Sequence, residues 1–67
     1  MITFHFEGHD DWIDRYSGPD HYPPVLGERF FYPGDFDVMV TEISLDKTEA
    51  WVEKYNKKEC EKLRNKQ

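Results

Sequence analysis

The fold class depends on residues 46–67, DKTEAWVEKYNKKECEKLRNKQ, because this stretch can form either one helix or a strand followed by a helix. Asp46 and Glu49 have the spacing of a capping box, in which two side chains satisfy the free backbone N–H groups at a helix start. Apolar residues then recur at helical spacing, namely Val52, Tyr55, Cys60 and Leu63. Basic residues crowd the end, where cations complement the helix dipole. These signals predict a long C-terminal helix.

The alternative is a final strand over EAWVEKY, residues 49–55, which would follow a turn at Asp46-Lys47. Asn56 would then cap a shorter helix, since asparagine is a favoured N-cap residue. This arrangement would favour a small SH3-like barrel with a C-terminal helix.

The N-terminal residues predict a strand and then a short helix. Apolar and polar side chains alternate in ITFHFE, residues 2–7, as they do in a half-buried strand. In HDDWIDRYSGP, residues 9–19, Asp10 or Asp11 can cap a helix and Gly18 can end it. We therefore expect a helix of two turns at this place.

The middle of the chain predicts two further strands, ERFFY at residues 28–32 and FDVMVTEISL at residues 36–45. Pro33-Gly34 suits the central positions of a type II turn. Because type II turns fit the tightest hairpins poorly, the loop is expected to exceed two residues. In the second of these strands, Val38 and Val40 are predicted to face one way, and Met39, Ile43 and Leu45 the other.

Together these elements predict an α+β fold, a three-stranded, mostly antiparallel sheet with a short N-terminal helix and a longer C-terminal helix. With 67 residues the chain is expected to form a single small domain. Its compact body would be residues 1–56, and residues 57–67 would be the charged end of the C-terminal helix.

Cysteine content and hydropathy indicate a cytoplasmic protein. Cys60 is the only cysteine, so neither an intrachain disulfide nor a cysteine-based zinc site can form. Its position on the apolar stripe predicts a buried, inert thiol. The start, MITFHFEG, lacks the features of a signal peptide, and no stretch approaches the ~20 apolar residues of a membrane span.

Charge is divided unevenly along the chain. Residues 1–49 carry eleven acidic and three basic side chains, a net of −8, whereas residues 50–67 carry a net of +3. The acidic part argues against direct contact with nucleic acid, which requires lysine and arginine to neutralise phosphates. It favours a basic protein partner, because net charge steers association. An acidic array on a small domain can also imitate the phosphates of a nucleic acid.

No pattern of chemically active residues indicates an enzyme. The possible metal ligands are His5, His9, Asp10, Asp11 and His21. Their spacing gives them no common face, unlike two ligands one turn apart on a helix, so neither a metal nor another cofactor is predicted. Acid–base catalysis requires a carboxyl group held in an apolar pocket, whereas the carboxylates of this sequence lie in polar stretches near predicted turns and caps.

Aromatic and acidic residues of the N-terminal third remain as a candidate docking surface. Tryptophan and tyrosine are over-represented at binding hot spots, and we predict Trp12, Tyr16 and Tyr22 as anchors. Four acids beside them would steer the partner, namely Asp10, Asp11, Asp14 and Asp20. The competing interpretation is that Trp12 and Tyr16 complete the core.

The predicted function is therefore that of a small acidic inhibitor or modulator that binds a larger protein. Its length, its acidity and the absence of an enzyme motif are typical of small accessory and inhibitor proteins, many of them encoded by phages. An alternative is a structural or assembly subunit that pairs through its C-terminal helix, and a small metal-binding protein is a third.

Overall fold

A computed structural model describes residues 1–18 and 21–66 of the chain. Their elements are β1 (Ile2–Phe6), β2 (Trp12–Asp14), β3 (Arg29–Tyr32), β4 (Phe36–Ile43), β5 (Glu49–Lys54) and α1 (Lys57–Arg64). The strands form one curled sheet in the order β2-β1-β5-β4-β3. β1 and β5 run parallel, and the other neighbours are antiparallel. The predicted α+β fold with three strands and two helices is therefore wrong.

The C-terminal stretch forms a strand and a short helix, as in the alternative considered from the sequence. The Asp46 carboxylate accepts bonds from the Ser44 hydroxyl and from the backbone N–H and hydroxyl of Thr48. It thus stabilises a turn and does not begin a helix. Beyond the turn, Ala50 and Val52 alternate into the core. The long helix was the wrong prediction because period-two burial of β5 outweighs the capping signal.

The short helix α1 begins where Asn56 caps it. The Asn56 backbone is extended, and its side chain accepts a bond from the backbone N–H of Glu59. Cys60 is buried, as predicted, and its thiol donates to the carbonyl oxygen of Gly27 at 3.0 Å. Gly27 has a φ of +79°, and a Cβ there would lie 2.7 Å from Cγ of Arg64. This glycine therefore allows the helix to approach the loop that precedes β3.

The predicted N-terminal helix is also wrong, because its residues form β2 in a hairpin with β1. Trp12 lies opposite Phe4, and their rings stack with centroids 5.4 Å apart. Asp14 ends the strand, accepting bonds from the backbone N–H of Tyr16 and the hydroxyl of Ser17. Aspartate favours such turns as much as helix caps, so the acids of this segment gave a misleading helix signal.

The predicted hairpin between β3 and β4 is present. Tyr32 pairs with Phe36, leaving the three-residue loop Pro33–Asp35, in which Gly34 and Asp35 both have positive φ. Val38 and Val40 face the core together, as predicted, but Ile43 does not face the opposite way. A register shift between Val40 and Glu42 reverses the alternation and places Ile43 opposite Ala50, against the core.

The curled sheet encloses the core. Its two edge strands, β2 and β3, approach each other, and their side chains pack across the gap between them. Trp12 of β2 lies 5.9 Å from both Phe30 and Tyr32 of β3, measured between ring centroids. The Tyr32 hydroxyl lies 2.7 Å from the carbonyl oxygen of Asp10 and 3.1 Å from that of Phe4. In residues 1–18 and 21–66, no strand ladder joins β2 to β3. The sheet is therefore open in its hydrogen bonding, unlike a closed barrel.

We expect Tyr32→Phe to lower the free energy of unfolding by about 1–3 kcal/mol, because two carbonyl oxygens at the edge closure would lose their donor. Urea denaturation read by linear extrapolation would measure the change. Tyr16→Phe is the matched control, since Tyr16 is 88% exposed. Its effect should stay within about 0.5 kcal/mol. An equal effect of the two variants would contradict the closing role of Tyr32.

Candidate functional site

An open cleft of about 300 Å³ lies where the edge strands β2 and β3 approach each other. We call it the aromatic cleft, and it is lined by Phe4, Trp12, Asp14, Ser17, Tyr22, Glu28, Phe30 and Phe31. The ring of Phe4 packs on Trp12 and lies 4.9 Å from that of Phe30. Phe4 is buried, whereas Tyr22 and Phe31 are 52% and 69% exposed. The lining therefore runs from the core out to solvent.

Two carboxylates, Asp14 and Glu28, lie in the lining of the aromatic cleft. The Tyr22 hydroxyl donates to Glu28, and this hydrogen bond raises the pKa of the phenol. In the part of the chain that the structure describes, no lysine, arginine or histidine nitrogen lies within 4.0 Å of either carboxylate. The cleft thus combines aromatic surface with uncompensated negative charge.

A second cleft, of about 260 Å³, also has Trp12 in its lining. Its lining includes Asp10 and Asp11, both exposed, together with Tyr32 of β3. Because Trp12 lines both clefts, the two adjoin at this residue, and both contain acidic and aromatic side chains. We call the two clefts together the docking surface.

The structure brings some of the predicted anchor and steering residues together and separates others. Trp12, Tyr22 and Asp14 line the aromatic cleft, and Asp10 and Asp11 line its neighbour. Tyr16 lines neither cleft. Asp20 lies outside the described residues.

Trp12 packs half-buried against the core and also lines both clefts, so completing the core does not remove it from the surface. Tyr16 does not complete the core, since 88% of it is exposed.

Sequence reasoning missed Glu28, Phe30 and Phe31 of the aromatic cleft. They lie far from Trp12 in the chain and meet it only because the sheet curls. One signal was available in ERFFY, where Phe30 and Phe31 are adjacent. Adjacent strand residues point to opposite faces, so one of these rings had to lie outside the core.

On the outer face of the sheet, His5 of β1 contacts Asp11, which precedes β2, and two residues of β5. Its Nδ1 lies 2.9 Å from Asp11 and its Nε2 lies 3.0 Å from Glu49. Its ring stacks on Trp51. Burial lowers the pKa of His5, but the hydrogen bonds and charges of the two carboxylates outweigh it and raise the pKa above the ordinary value. Both ring nitrogens donate in the imidazolium form, so the cluster stabilises protonated His5.

Across residues 1–18 and 21–66, no group of three or more histidine, cysteine, aspartate or glutamate side chains could hold a metal ion. In the same residues, no helix is long and apolar enough to cross a membrane.

Comparison with protein-family models, with curated proteins and with solved structures finds no match for this chain. Its function is therefore argued from its own surface.

The His5 cluster predicts a pH-dependent stability. Because the folded-state pKa is raised, its stabilisation is fully present below the ordinary histidine pKa of about 6.5 and is lost as pH rises through the higher folded value. Urea denaturation at a series of pH values across this window should show the free energy of unfolding falling as pH rises.

His5→Gln should flatten this dependence, because glutamine donates hydrogen bonds but does not titrate. His21→Gln is the control, since His21 is exposed and lies in a loop. An unchanged pH slope in His5→Gln would show that other groups produce the dependence.

Proposed function

We propose that this chain is a small acidic protein-binding protein, an inhibitor or modulator that docks on a basic groove of a larger partner such as a nucleic-acid-binding protein. The observation that carries the proposal is the docking surface, where aromatic side chains lie beside carboxylates, two of which, Asp14 and Glu28, have no basic side chain within 4.0 Å among the described residues. Such a surface suits a partner that supplies positive charge.

Charge supports this choice of partner. The chain has a formal net charge of −5, and residues 1–49 alone carry −8. Both clefts are formed within these residues. Long-range attraction would raise the rate of encounter with a basic surface, while phosphate groups would be repelled. Binding would then block nucleic acid from the groove of the partner.

Anchoring would come from the exposed rings. Tyr22 and Phe31 present apolar surface at the rim of the aromatic cleft, and the half-buried Trp12 also lines it. Aromatic side chains contribute much of the energy at hot spots, whereas rim charges mainly set rate and specificity. The surface therefore divides into aromatic anchors and acidic steering groups.

The proposed compartment is the cytoplasm, where reducing conditions keep cysteine as the thiol. Cys60 fits this setting because its thiol is buried and hydrogen-bonded.

A second candidate function is assembly into a larger structure. One observation favours it, an open groove of about 500 Å³ beside α1 that includes Leu63 and a fully exposed Leu45. Light scattering over a concentration series tests it. Assembly through this groove predicts a rising molar mass that Leu45→Ser abolishes.

Affinity capture from lysate of the source cells at low and high salt, read by mass spectrometry, tests the docking function. We expect a basic protein whose capture weakens with salt, because the steering charges are screened. The affinity of the purified complex should fall in Asp10→Asn, which keeps the backbone acceptor that Tyr32 uses.

The matched control is Glu61→Gln, which removes an exposed charge from α1. Equal affinities of the Asp10 and Glu61 variants, or binding that is insensitive to salt, would overturn the electrostatic part of the proposal.

A further inference from the structure

The aromatic cleft combines the features that bind an organic cation. Its rings meet at different angles, with Phe4 and Trp12 stacked at 22° and Phe4 and Phe30 tilted at 52°. Aromatic faces carry partial negative charge and attract cations that lie within about 6 Å of a ring centroid. Rings in several orientations can surround a guest on more than one side.

Two carboxylates, Asp14 and Glu28, give the aromatic cleft negative charge. Asp14 is half-buried at the end of β2, and Glu28 is half-buried just before β3. Acids that do have a basic partner lie outside the aromatic cleft, as Asp37 does with Arg29. Among the described residues, neither Asp14 nor Glu28 has a basic side chain within 4.0 Å.

The size of the cleft limits what can enter. At about 300 Å³, it lies at the lower end of the roughly 300–1,000 Å³ range of small-molecule sites. It is also open to solvent along the rim formed by Tyr22 and Phe31. One long side chain, entering from a partner, suits this volume better than a cofactor does.

We propose that the aromatic cleft binds an arginine side chain presented by the partner, with the guanidinium on the rings and its N–H groups toward Glu28 and Asp14. This inference rests on the proposed function, because the cleft belongs to the docking surface. It specifies the chemical group that the surface recognises.

The chain already holds one of its own arginines in this way. The guanidinium of Arg29 lies 3.9 Å from the centroid of the Tyr55 ring. The same group donates two hydrogen bonds to Asp37, at 2.9 and 2.7 Å. A planar guanidinium can stack and pair at once, whereas the lysine ammonium is a strongly hydrated point charge. The combination of ring and carboxylate in the cleft therefore favours arginine.

The test is a titration of the isotope-labelled protein with the blocked peptide acetyl-Gly-Arg-Gly-amide, followed by NMR. We expect the indole N–H signal of Trp12 to move, while that of Trp51, on the opposite face of the sheet, stays in place. The peptide with citrulline, which is neutral and similar in shape, should bind at least about tenfold more weakly. The lysine peptide should bind several-fold more weakly.

Two pairs of variants locate the site. Glu28→Gln keeps an acceptor for Tyr22 and removes the charge, and it should weaken arginine binding about tenfold, whereas Glu61→Gln should leave it unchanged. Phe31→Leu removes an exposed ring from the rim and should also weaken binding. Its control is Tyr16→Leu, an exposed ring outside the cleft. Because Phe31 is 69% exposed, Phe31→Leu is expected to fold and keeps the test valid if Glu28→Gln does not fold.

Equal binding of the citrulline or lysine peptide, or shifts that gather at Trp51, would overturn the proposal. The result of the peptide titration can be distinguished from the result of affinity capture. If a basic partner binds through Asp10 but the peptide leaves Trp12 unmoved, the arginine site is wrong and the docking function stands. If the peptide fills the cleft and no basic partner is captured, the docking function fails alone.

Discussion

The Tyr32 hydroxyl sets the constraint on which the rest of the structure depends. It approaches the carbonyl oxygens of Phe4 and Asp10, so β3 at one edge of the sheet is tied to the hairpin at the other edge. A curled sheet whose edges do not pair needs such a connection, because unpaired polar groups at the closure would otherwise be buried without partners. Trp12 packs beside it and completes the closure with apolar surface.

This way of closing the sheet also produces the candidate site. Closure by side chains leaves a cleft wherever the rings of β2 and β3 do not fill the space between them. Trp12 consequently contributes to the core and to the docking surface at once. The carboxylates on the same rim turn an incompletely filled edge into a cavity with a preferred charge. The stability of the sheet closure and the proposed recognition would therefore depend on the same few aromatic residues.

The sequence predicted the elements whose signal is local. β1 and the β3–β4 hairpin follow from alternation and from Pro33-Gly34. The two helix predictions failed for related reasons. Asp10 and Asp11, predicted as helix caps, precede strand β2, and Asp46 stabilises a turn, as Asp14 does after β2. An aspartate side chain accepts the same kind of hydrogen bond from nearby backbone N–H groups at a helix cap and in a turn. Strand pairing decides between them, that of β2 with β1 in the first case and that of β5 with β1 and β4 in the second.

By itself the sequence determined the excess of negative charge, the lone cysteine and the concentration of aromatic and acidic residues between residues 8 and 24. These are properties of composition and need no fold. The tertiary structure alone decided that Glu28 and Phe30 face Trp12 across a cleft. Such contacts between distant residues arise from strand order and sheet curl, which are set by the collective burial of the core and not by any short stretch of chain.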